Sequence, residues 1–451
     1  MGVETRLRTG AQWAGTDDGA RWAFRAALAL SVIVLYLAGR HQWFIRDDWA
    51  FTFTREKVHQ ASGLGEMLFA AQDGHWMTVP ILIWRLTHAL FGTGSYWPYL
   101  ASAMACHLGI VVMVRRLCVR VGVSEWTATI LAVMLAVFGS GWENIVFAVQ
   151  STYNLSLLAF LAHLALIDHD GPPDRRDAIG VVAGLIAIAS SGFGPFFILG
   201  TLVFMVMRRR WLAAAIATIP TGLASAWWWL FWGRDPAGAA NRGPISEVPS
   251  YVNHGLDAVF QGITSAASLV GIALLATLAV VLWRQRDRAA HDVLFALALT
   301  AVAIYVGLGI QRGGFGIETA ASSRYVYMVA VLLIPAFGVA VDQLRRIGPP
   351  AVWAARLLLI GSVAMNIAAL RTNGDDWATR SADERNILEL VAASPATATV
   401  DQSIAPLPFS PDVRISDIAE LVADGAIHPR APASVLEQAL VDNALSQPPP
   451  P

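Results

Sequence analysis

From about residue 22 to about residue 370 the chain is built of apolar runs of roughly membrane length, separated by short polar bridges. Nothing else in the sequence constrains the fold as strongly. A bilayer offers no water to satisfy backbone amides, so a spanning segment must be a helix or part of a closed barrel. These runs are continuous and do not alternate, so they read as helices. Hydrophobic residues make up 55% and charged residues 14% of the chain, whereas a soluble chain carries roughly a quarter charged. The expected architecture is therefore an all-α polytopic membrane protein with about eleven transmembrane helices.

The spans fall near residues 23–39, 97–114, 124–140, 151–168, 177–191, 193–207, 211–232, 264–283, 291–310, 325–343 and 351–369. The fifth and sixth meet at Ser190-Ser191-Gly192-Phe193-Gly194-Pro195, a turn composition that breaks a single long helix. Fusing them would invert everything downstream. Charge placement supports the split. With the N-terminus inside, the inner bridges carry Arg115, Arg116 and Arg120, then Arg175 and Arg176, then Arg208 to Arg210, then Arg284, Arg286 and Arg288, then Arg345 and Arg346, as the positive-inside rule requires. The same rule makes the stretch 76–92 an interfacial helix rather than a span, with Arg85 and His88 on one face.

This gives a cytoplasmic N-terminal segment (1–22), a transmembrane domain (23–370) with a large first external loop (40–96), and an acidic extracytoplasmic C-terminal region (371–451) with a disordered Pro-rich end. Short apolar clusters at Ile387-Leu388-Leu390-Val391 and Ile415-Ile418-Leu421-Val422 predict some folded structure there. Many tryptophans, among them Trp22, Trp76, Trp97, Trp142, Trp211 and Trp353, flank apolar runs and are expected at the membrane interface. No cleavable signal peptide is evident, so the first run is read as a span. The location expected is the cell membrane, with the N-terminus cytoplasmic and the C-terminus extracytoplasmic.

A net charge of -1 and the lack of a dense basic block exclude nucleic acid as a partner. Two cysteines, Cys106 and Cys118, supply neither a disulfide framework nor a metal cluster. The span cores hold no Asp or Glu, which disfavours an ion-coupled transporter. Acids gather instead in the outward loops as Asp47, Asp48, Glu56, Glu66, Asp73, Glu143 and Glu318. Taken alone, Arg46-Asp47-Asp48-Trp49 reads as solvated acids ending a span, with Asp48 capping the next helix.

The pair Asp47-Asp48 followed by Trp49, just outside the first span, resembles the C-type (GT-C) glycosyltransferase superfamily. The resemblance extends to Gly74-His75-Trp76 with Pro80 and a Leu90-Phe91-Gly92 ending, to Trp142-Glu143-Asn144, and to Ser322-Ser323-Arg324-Tyr325. It covers roughly residues 20–370 and looks most like the actinobacterial branch. Use of Arg over Lys, with Lys57 the lone lysine, suits that origin. It implies inverting transfer of a sugar from a polyprenyl-phosphate donor to a glycan, lipid or protein acceptor on the outer membrane face.

Such chemistry needs a carboxylate base at the acceptor hydroxyl and cations at the leaving phosphate. Asp47 or Asp48 would be the base. Neighbouring residues point different ways, so one of the pair is expected to face the sugar, and the family pattern favours Asp47. Arg324 is the leading phosphate ligand, with Arg312 and Arg85 behind it, each of which also reads as a helix-end anchor. His75 would hydrogen-bond sugar or phosphate, or else be structural. Glu143 would orient the acceptor, or hold a divalent cation with Asp48, or remain a solvated acid. The competing readings are a non-coupled membrane transporter or lipid-linked-glycan flippase, and a structural membrane subunit.

Overall fold

The computed structural model describes residues 16–234, 241–266, 271–283 and 288–447. Among them the fold is helical, and the sole β feature is an isolated bridge between Gln72 and His75. The principal helices are α1 (Asp17–Gly39), α2 (Thr78–Phe91), α3 (Trp97–Arg120), α4 (Glu125–Ala136), α5 (Ser151–Ile167), α6 (Arg175–Ile188), α7 (Gly194–Met207), α8 (Trp211–Phe231), α9 (Val248–Thr264), α10 (Gly271–Trp283), α11 (Arg288–Arg312), α12 (Ser323–Gln343), α13 (Pro349–Ala393) and α14 (Val435–Leu445).

Six of these segments are long and apolar enough to cross a membrane, namely α1, α3, α5, α11, α12 and α13 with their short extensions. The other five expected spans correspond to α4, α6, α7, α8 and α10. Of these, α4, α6, α7 and α10 have 12 to 14 residues, about 20 Å of helix against a hydrocarbon core of roughly 30 Å. Leu30 and Ile33 on α1, Leu223 on α8 and Leu358 on α13 are exposed, the apolar faces that a lipid surround would cover.

The arginine bridges meet at one end of the bundle. Arg21 pairs with Glu125, Arg120 and Arg208 both pair with Asp168, and Arg356 and Arg345 approach Asp342. Arg210 lies 3.9 Å from Asp177 at the start of α6. The bridge holding Arg284 and Arg286 lies outside the described residues, as do Pro448 to Pro451. Trp22, Trp211 and Trp353 are exposed, as interface residues would be. Trp76 and Trp142 are not free to be so, because Trp76 stacks on Trp228 with centroids 5.7 Å apart and Trp142 packs edge-on against Trp377 at 5.2 Å. Trp97 stacks on Tyr36.

Two elements depart from the expected layout. Between α8 and α10 lies α9, whose Tyr251, Val252, Leu256, Val259, Phe260 and Ile263 are buried. These positions share one helical face, so a segment too polar to span still packs as a helix. It lies so close to α11 that a Cβ at Gly255 would come within 2.3 Å of the Tyr305 ring. The second is α13, which runs unbroken for 45 residues through position 370, where the apolar run ends. Polar residues beyond 370 include no proline, so the helix carries on out of its apolar half.

That projecting half supports a second core. Trp43, Phe44, Trp49, Phe53, Trp84 and Tyr99 pack with Trp377, Leu388, Leu407, Val413, Ile418 and Leu421. The first loop and the C-terminal region therefore share one hydrophobic cluster at the end opposite the arginine bridges.

Candidate functional site

Beyond α1 the chain passes through buried Trp43, Phe44 and Ile45 and turns at Arg46, whose φ of 53° and ψ of -123° are costly for a residue with a Cβ. A single helical turn, Asp47–Trp49, follows and runs into a π-helical segment, Ala50–Thr54. Such segments are rare and concentrate at functional sites.

This turn separates the two carboxylates. Asp48 is wholly buried. Its Oδ2 accepts from the Ile45 amide (3.2 Å) and the Tyr96 hydroxyl (2.9 Å), and its Oδ1 accepts from the Val149 amide (3.2 Å). The Tyr96 oxygen in turn accepts from the Ala148 amide, which commits its proton to Asp48. Asp48 thus ties the first loop to the segment after α4. Asp47 faces the other way and lines a cavity of about 210 Å³, accessible to solvent through its mouth. Surrounding protein and the nearby Asp73 push its pKa up, against the pull of Arg324.

The same cavity is lined by Arg324, in the first turn of α12. Its backbone amide and the Ser323 hydroxyl both reach Glu143 Oε2, at 3.3 and 2.5 Å, so the acid organises the helix start. The Arg324 guanidinium lies 5.4 Å from the Tyr325 ring, and its Nε is buried without a partner. Arg312, at the end of α11, donates to the Asp73 carbonyl at 3.3 Å. Among the described residues neither guanidinium forms an ion pair. His75 lines the same cavity, and burial together with these two cations lowers its pKa to about 4, so its ring is neutral at physiological pH. The His75 Nδ1 and Gln150 Oε1 are further buried atoms on this cavity without partners. A closed protein interior rarely leaves so many polar groups unsatisfied in one place.

A larger cavity of about 840 Å³ adjoins, sharing Asp73, His75 and Arg312. Its walls combine Trp76, Trp228 and Trp229 with Arg234 and Arg242. The Ser190–Pro195 turn closes against His75, where a Cβ at Gly192 would stand 2.0 Å from Nδ1. Gly192→Ala is therefore expected to displace His75 and lower any activity of the site at least tenfold, while the remaining bundle keeps its melting temperature within a few degrees. An activity assay beside a thermal melt checks this.

The structure brings together Asp47, His75, Glu143, Arg312 and Arg324. It does not include the other two candidates. Asp48 is turned away as described, so Glu143 and Asp48 cannot share a cation. Arg85, on α2, pairs with Glu56 and reaches the Thr52 carbonyl instead. Two further residues of the cavity are Arg46 and Asp73. Asp73 has a φ of 51°, in an Asp73-Gly74 turn whose dipeptide is the signal the sequence offers. Among the described residues the one His and carboxylate grouping able to surround an ion, His169, Asp174 and Asp177, lies at the arginine-bridge end. There Asp174 forks Arg176 and Asp177 accepts from His169 and the Asp174 amide.

The site thus defines a class: a multi-pass membrane protein with an acid-and-arginine cavity at one end of its bundle. No family model matches the chain, and no curated protein matches it. Among solved structures it is similar to ArnT from Cupriavidus metallidurans. The apo crystal structure has 16% identity and a TM-score of 0.49 over 85% of this chain and 81% of that one. The structure bound to undecaprenyl phosphate has 12% identity and a TM-score of 0.48 over 94% and 88%.

Proposed function

We propose that the chain is an inverting C-type glycosyltransferase that moves a sugar from a polyprenyl-phosphate donor to an acceptor hydroxyl on the extracytoplasmic face. The observation that carries this reading is that Asp47, a carboxylate with no hydrogen-bond partner among the described residues, lines one cavity with Arg324 and Arg312, neither of which forms an ion pair among those residues. Asp47 takes the proton of the acceptor hydroxyl as the acceptor oxygen attacks the anomeric carbon from the face opposite the phosphate. The bond from that carbon to the phosphate oxygen breaks, and the charge left on the phosphate is held by Arg324 and Arg312. His75, neutral, supplies a hydrogen bond to sugar or phosphate. Glu143 acts through α12, holding the start of the helix that carries Arg324.

The tryptophan-walled cavity suits a lipid-borne substrate, since it offers aromatic surface beside cations. By the positive-inside rule the arginine-bridge end is cytoplasmic, which puts the site outside, where nucleotide sugars are absent. A transporter reading would need its polar groups through the middle of the bundle, whereas this cavity sits at one end.

The test is turnover by purified protein in nanodiscs, offered a panel of labelled polyprenyl-phosphate monosaccharides and, separately, nucleotide sugars. Transfer is expected only from the lipid-linked donors. Arg324→Ala should lower kcat/KM about a hundredfold, near 2.7 kcal/mol of transition-state stabilisation, and raise donor KM, because the phosphate is bound in ground and transition states alike. Turnover of a nucleotide sugar without lipid would contradict the proposal.

A further inference from the structure

The strained turn that presents Asp47 is held by a part of the chain distant in sequence. The Arg46 amide donates to Ser410 Oγ at 2.7 Å, and the Ser410 hydroxyl donates to Glu384 Oε2 at 2.7 Å. Ser410 is wholly buried, and Glu384 lies on the projecting half of α13. The Arg46 side chain lies over the Trp377 ring, 5.3 Å from its centroid and on the same helix. Around this point further contacts clamp the first loop to the C-terminal region: Thr54 to Asp412 at 2.5 Å, Lys57 to Asp417 at 2.7 Å and the Thr93 amide to Asp424 at 2.8 Å.

A non-glycine residue keeps an unfavourable φ and ψ only where its surroundings impose it. At Arg46 the carbonyl accepts from the Trp49 amide within the turn itself, at 3.0 Å, whereas the amide is held from outside the turn by a buried hydroxyl whose own direction is set by Glu384. Asp47 is the next residue, so rotation about the Arg46 backbone swings its carboxylate across the cavity. We propose that Ser410, oriented by Glu384, is a positioning residue that locks the Arg46 turn and so aims Asp47 at the acceptor, an inference that rests on the transferase reading above. The C-terminal region is on this view part of the catalytic apparatus, although none of its residues lines the substrate cavity.

Two measurements on the full-length protein in nanodiscs test this: amide exchange by mass spectrometry over the segment 42–50, and kinetics with the lipid-linked donor that turns over in the panel. Ser410→Ala is expected to accelerate exchange at the Arg46 amide and to lower kcat 10- to 100-fold, since a base misplaced by about an ångström loses roughly that much. Donor KM should stay within about twofold, because the arginines are untouched. Glu384→Gln keeps an acceptor for the Ser410 hydroxyl and should stay within about threefold of the parent, whereas Glu384→Ala should behave like Ser410→Ala. A loss of kcat accompanied by an equal rise in KM and a large drop in melting temperature would overturn positioning in favour of general support. Unchanged kcat in Ser410→Ala would overturn it too. Should the parent protein transfer no sugar, the transferase reading fails separately. Exchange at Arg46 then decides the anchoring alone, with faster exchange in Ser410→Ala upholding it and unchanged exchange overturning it.

Discussion

Asp47→Asn is expected to abolish transfer by about two to four orders of magnitude while leaving the protein folded, the loss typical of removing a general base. Asparagine keeps the shape of the side chain but takes no proton. The variant should also melt slightly higher than the parent at neutral pH, since it removes a carboxylate crowded by protein and by Asp73. The sign of the pH dependence follows from that shift. A raised folded-state pKa means that ionising Asp47 costs folding free energy, so its contribution is most favourable at low pH and is lost as pH rises through the folded pKa. The melting difference between parent and variant should therefore shrink on acidification and vanish below the ordinary aspartate range. Parent kcat should rise with pH on a limb displaced above that range. His75, with a pKa near 4, does not supply it. Thermal melts and initial rates at several pH values check both statements.

Asp48→Ala should fail by a different route. It strips the acceptor from two backbone amides and a tyrosine hydroxyl, all in the interior. Each buried donor left unpaired costs about 1–3 kcal/mol, so the sum over three donors is on the order of 3–9 kcal/mol. That is a large fraction of the roughly 5–15 kcal/mol by which folded proteins exceed their unfolded states. The expected result is a protein that scarcely accumulates or melts many degrees lower. Asp48→Asn retains an oxygen for one side of the network and should lose only part of this stability, with near-parent turnover in the fraction that folds. Expression, melting temperature and rate per folded molecule separate the two variants. Adjacent carboxylates would then be distinguished by what they lose: chemistry at Asp47, folding at Asp48.

Much of this arrangement was open to reading from residues alone. Apolar runs and arginine bridges predict helices within a few residues of α1, α3, α5, α6, α7, α8, α11 and α12, because hydropathy and punctuating charge act locally. They also predict that Arg324, Glu143, His75 and Asp47 belong to the same end. Which member of the acidic pair faces the cavity was a matter of resemblance, since it depends on the backbone angles at Arg46, whose amide is held by Ser410 more than 360 residues away. Arg85 looked like an available cation because its partner Glu56 lies in a different helix of the same loop. Helix α9 was hidden by its polar face, and the length of α13 by the assumption that a helix ends where its hydropathy does. Asp73 was visible as an acid, but its place beside Asp47 arises from the fold of the loop.

The most direct test of the central claim is a structure of the protein with a polyprenyl phosphate in a lipid nanodisc. The phosphate is expected within hydrogen-bonding distance of Arg324 and Arg312, across the cavity from Asp47, with its chain leaving along the wall formed by Trp76, Trp228 and Trp229. A phosphate bound instead only among the arginines at the opposite end of the bundle, leaving Asp47 and Arg324 without a ligand, would contradict it.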